Sequence, residues 1–101
     1  MLDTLTIETF QPLVGRPFAV LVGEERFMPA HLVAVNPLAL DGDPRRKRTP
    51  FALVFRGPGG GHLPQDTYGI KGDDIELPGV FLVPLGPDAA GEGMLYEAVF
   101  T

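Results

Sequence analysis

The chain has 101 residues, 45% of them hydrophobic and 21% charged, which is the size and balance of one ordinary globular domain. It contains no cysteine and no serine, so disulfides, thiolate metal sites and hydrolysis by a serine or cysteine nucleophile are all excluded. The formal net charge is −5, and the chain holds 13 glycines and 11 prolines, distributed between short apolar runs as turn residues are.

Residues 4–15 predict one short helical turn. Thr6 is a suitable N-cap, Glu8 complements the positive helix start, Pro12 limits the length and Gly15 ends it. Leu5, Phe10 and Val14 are expected to form its buried side, making it a plug over one end of a sheet.

Beyond Arg16 the pattern is strand after strand. Pro17–Val22 and Arg26–Val35 read as a hairpin about the three-residue turn Gly23-Glu24-Glu25. Pro29 cannot donate to a ladder and marks an edge or a bulge. Residues 36–50 read as a long loop, longer than ordinary connections and therefore functional or mobile. Phe51–Arg56 alternates Phe51, Leu53 and Phe55 onto one face, and Gly57-Pro58-Gly59-Gly60-Gly61 then breaks pairing.

Asp66–Lys71 is a further strand, followed by a turn at Gly72-Asp73-Asp74 and a short return strand at Ile75–Leu77. Val80–Leu85 is continuously apolar, the pattern of a strand covered on both faces. Met94–Phe100 completes the last hairpin, with Tyr96, Ala98 and Phe100 inward and Glu97 on the wetter side. Six to seven short strands with regular turns predict an all-β fold: one antiparallel barrel or sandwich over residues 1–101 with a single N-terminal helical turn.

Few residues offer chemistry. His31 and His62 lack ligand-like spacing. Asp41-Gly42-Asp43 lacks the remaining ligands of a calcium loop, and the Gly57–Gly61 run lacks the lysine and helix of a phosphate loop. No catalytic, cofactor-binding or metal-binding residue is assigned, no cofactor is expected, and an enzyme is not. Arg56, at the end of an apolar strand, is expected to pair with an acid such as Glu97.

The sharpest local feature is Arg45, Arg46, Lys47 and Arg48, four of the eight basic residues in an otherwise acidic chain. The acidic remainder would repel a phosphate backbone, so nucleic acid is not the expected partner. Docking on an acidic protein surface fits better, with the pairs Glu24, Glu25 and Asp73, Asp74 as a possible counter-surface on another copy. A basic loop on an acidic body suits head-to-tail association.

Neither a signal peptide nor an apolar run long enough for a membrane helix is evident, so a cytoplasmic site of synthesis is expected, with membranes excluded as partners and a place in an exported or extracellular assembly left open.

Several stretches together resemble a known family: residues 5–15, Phe51-Ala-Leu-Val-Phe-Arg-Gly-Pro58, Leu63-Pro-Gln-Asp-Thr-Tyr68, Phe81-Leu-Val-Pro-Leu-Gly-Pro-Asp88 and Tyr96-Glu-Ala-Val-Phe100. The family comprises uncharacterised bacterial proteins of about this length, often encoded near phage-tail-collar-like proteins. The resemblance implies a structural or assembly role, self-associating or docking in a phage-tail-derived or similar assembly, and brings no catalytic residue. The alternative is a small binding module for a peptide, glycan or small ligand.

Overall fold

A computed structural model of the chain describes residues 5–38 and 49–100. The helical turn forms where the caps place it. Helix α1 spans Ile7–Phe10 with Thr6 as N-cap, and a single 3-10 turn, Gln11–Leu13, carries Pro12. The Thr6 N–H donates to Thr9 Oγ1 at 3.0 Å, and the Thr9 N–H returns to the Thr6 carbonyl at 3.0 Å, satisfying groups that a helix start leaves free. Gly15 turns the chain away at φ +89°, a conformation costly for residues with a Cβ.

Six strands follow: β1 Pro17–Gly23, β2 Arg26–Pro37, β3 Phe51–Pro58, β4 Asp66–Lys71, β5 Glu76–Pro87 and β6 Gly93–Phe100. They close a barrel in the order β1-β2-β3-β6-β5-β4, every neighbouring pair antiparallel. Two three-stranded meanders, β1–β3 and β4–β6, are thus joined along β3–β6 and β1–β4. The barrel form settles the choice between barrel and sandwich. Closure removes sheet edges along most of its length.

The interior is full. Phe18, Val20, Leu32, Phe51, Leu53, Phe55, Ile70, Leu77, Leu82, Tyr96, Ala98 and Phe100 are buried in one cluster. Phe10 drops from α1 into one mouth, its ring centroid 5.8 Å from those of both Phe51 and Phe100. Those two rings stack at 5.0 Å with an interplanar angle of 3°. The helical turn is therefore the expected plug, with one exception: Val14 is 45% exposed, because the chain has already left the core for Gly15, and Ile7 and Leu13 pack against the barrel instead.

Further expectations change, among them that pairing breaks at Gly57: β3 runs on through Gly57 and Pro58, opposite Met94 and Gly93 of β6. The first hairpin turns on Glu24-Glu25 alone, with Gly23 opposite Arg26. Neither glutamate has positive φ, as the favoured two-residue turns require, and the register shift between Leu21 and Gly23 accommodates the mismatch. Next, β2 continues to Pro37, into the segment read as loop. Further, Glu76-Leu77 of the expected return strand and Val80–Leu85 belong to one strand, β5, which starts after Ile75: the register shift there sets Pro78-Gly79 opposite the single Gly69, a bulge that needs no N–H from the proline. Last, the apolar run in β5 is covered on one face only. Val80 and Leu82 point inward, while Phe81 and Leu85 are 52% and 51% exposed.

Pro29 lies opposite Ala19 of β1 and beyond the paired part of β2 and β3, which ends at His31 opposite Arg56, so its missing donor interrupts no ladder on the β3 side. The Arg45–Arg48 tetrad and Asp41-Gly42-Asp43 lie outside the described residues.

Candidate functional site

Strand direction sorts the connections to the two barrel ends. The plugged end carries α1, the β4–β5 turn with Asp73 and Asp74, the end of β2 and the start of β3. The far end carries the β1–β2 turn with Glu24 and Glu25 and the connections 59–65 and 88–92. The two acidic pairs therefore sit at opposite ends and form no continuous surface. Glu24, Glu25 and Asp74 make no ion pair with a described residue, and Asp73 meets Arg16 at 3.9 Å across an exposed gap. Such an exposed pair contributes little stability.

Arg56 has a different partner from the expected Glu97. Its Nη1 lies 3.8 Å from Oδ2 of Asp88. The register explains this: Arg56 is opposite Leu95, near the top of β6, whereas Glu97 is opposite Val54. The Asp88 side chain, only 11% exposed, also accepts from the Glu92 N–H at 2.8 Å through Oδ1, fixing the β5–β6 turn. Arg56 is thus held structurally. His31 is an exposed outer residue of β2, and the exposed His62 lies 3.0 Å through Nδ1 from its neighbour's carbonyl, Leu63 O. Among the described residues no three His, Asp or Glu side chains converge. No helix among them is long and apolar enough to cross a membrane.

Two tyrosines organise the far end. Tyr96 Oη accepts from the Leu63 N–H at 2.9 Å, and Tyr68 Oη donates to the Pro64 carbonyl at 2.7 Å. Desolvation, assisted by the charge of Asp66 and by Tyr96, pushes the Tyr68 hydroxyl above its ordinary pKa and keeps it a donor. The segment after the glycine run is therefore pinned, and the run is no free phosphate cradle.

Among the described residues, three outer features bear on contact or binding. One is a cleft of about 260 Å³ at the plugged end, floored by Leu13, Pro17, Phe18 and Ile75 and rimmed by Arg16, Asp73 and Asp74. Another is a cleft of about 210 Å³ on the wall, between Leu21, Phe27, Gly69 and Pro78, rimmed by Lys71 and Glu76. The last is a set of large exposed apolar side chains: Leu21, Val22, Phe27, Phe81, Leu85 and Val99. Scattered apolar residues are normal on proteins, but contiguous ones mark contact surfaces.

A family model described as a domain of unknown function (DUF6916) matches residues 5–100, so the chain belongs to that family. No curated protein and no solved structure matches the chain.

Proposed function

We propose that this family member is a non-enzymatic structural or assembly protein that works through protein contacts, with other copies of itself or with another component. One observation carries the reading. The barrel interior is filled by its own side chains, while Phe27, Phe81, Leu85 and Val99 stand more than half exposed outside it. A small barrel used for binding inside needs room there; this one offers its apolar surface outward. The basic tetrad Arg45–Arg48 adds a second contact element suited to acidic turns such as Glu24-Glu25 on a neighbour. The resemblance to proteins encoded near phage-tail-collar-like partners points to an extended assembly of that kind.

Cross-linking of the purified protein, followed by electron micrographs, tests the reading. Discrete oligomers, rings or filaments are the expected result. Uncross-linked monomers at every concentration count against self-association and leave docking on another component to be sought by co-purification.

The cleft beside the plug favours a second reading, a small binding module. Its apolar floor and mixed-charge rim fit a peptide side chain or a small ligand better than a glycan, which would ask for more polar groups. A ligand screen read by Ile75 and Phe18 NMR shifts tests it, and unmoved signals remove it.

A further inference from the structure

We infer that the outer wall of β1 and β4 is an isologous contact face, on which a second copy of this chain seats about a twofold axis. The inference rests on the self-association proposed above and names its surface. Register makes the patch continuous. Leu21 lies opposite Phe27 of β2 on one side and Gly69 of β4 on the other, and the β4–β5 bulge brings Pro78 against Gly69. Phe27 and Leu21 are 55% and 36% exposed. Gly69 keeps the middle of the row low: a Cβ there would stand 3.7 Å from the Leu21 side chain and begin to fill the cleft. A protruding phenylalanine beside a depression is the shape that a reciprocal contact can use twice.

Charge selects the occupant. Each copy carries a net −5, so two copies repel wherever acid would meet acid. The rim of this cleft is balanced, holding one lysine and one glutamate, Lys71 and Glu76, directly opposite each other and 3.7 Å apart. An isologous interface must be self-complementary, because each residue meets the image of another on the same patch. A rim of one positive and one negative group satisfies this: rotation by a half turn can set Lys71 against the partner's Glu76 and Glu76 against the partner's Lys71. A strongly acidic or strongly basic partner would match only half of it.

The test is sedimentation of the full chain, wild type beside Phe27→Asp and Val14→Asp, at low and high salt. Phe27→Asp is expected to give the 10.9 kDa monomer at concentrations where wild type and Val14→Asp, changed at an exposed site beside the plug, are dimeric, with thermal melting retained in all three. The wild-type dimer should persist at high salt, since apolar burial and not the ion pairs holds it. As a second measurement, Leu21→Cys introduces the only thiol in the chain and should form a disulfide-linked dimer on mild oxidation. Self-association that Phe27→Asp leaves intact, or no cross-linked Leu21→Cys dimer, overturns this face while leaving the self-association reading standing. A wild-type monomer at all concentrations overturns both.

Discussion

Tyr96 and Leu63 are joined by a hydrogen bond of 2.9 Å across a separation of 33 residues, from the Leu63 backbone N–H to the phenolic oxygen of a buried ring. The bond ties the connection between the two meanders to the barrel core. Tyr96→Phe removes the acceptor and leaves that amide without its partner, at a cost of about 1 kcal/mol. A urea melt compared with wild type should show a lower midpoint with an unchanged slope, and hydrogen exchange at Leu63 should accelerate.

Tyr68 makes the stability of the barrel fall on the alkaline side. Its pKa is raised in the folded state, so above the ordinary tyrosine value near 10 the unfolded chain loses the phenolic proton first. Stability is then full below that pH and declines as pH rises through the folded-state value. Melting temperature measured across this range should drop more steeply for wild type than for Tyr68→Phe, which has no proton to lose at that position.

Gly93 is fixed by close approach. A Cβ at this position would collide with the Gly57 carbonyl oxygen and come within 2.8 Å of the Arg56 side chain, and backbone cannot step aside as a side-chain tip can. Gly93→Ala should destabilise by roughly 1–3 kcal/mol, as overpacking does. Gly61→Ala, where a Cβ meets nothing, should melt close to wild type.

Phe10 tests the plug. It is fully buried between Phe51 and Phe100 although it belongs to a helix of four residues. Phe10→Ala should cost about 3–5 kcal/mol, read by chemical denaturation, because it opens a cavity at the barrel mouth. A cost below 1 kcal/mol would mean that the turn merely rests on the barrel.

What could be read from the residues was mainly local. Thr6, Pro12 and Gly15 delimit the helical turn because capping and breaking act over a few positions. Phe51, Leu53 and Phe55, and Tyr96, Ala98 and Phe100, declare their face by strict alternation. Pro78-Gly79 misleads because a bulge and a turn use the same residues, and only the presence of Gly69 opposite distinguishes them. Phe81 and Leu85 mislead because an apolar side chain does not state which face it occupies. The partner of Arg56 depended on the β3–β6 register, which no spacing within either strand specifies. The wall cleft is of the same kind: Phe27, Leu21, Gly69 and Pro78 come from four strands and meet only when the barrel closes.

This barrel is expected to associate with its own copies through its exposed apolar surface. Light scattering of the wild-type chain over a concentration series, at low and at high salt, should give a molar mass above 10.9 kDa that rises with concentration and survives high salt. A constant 10.9 kDa at every concentration and both salt levels would rule self-association out.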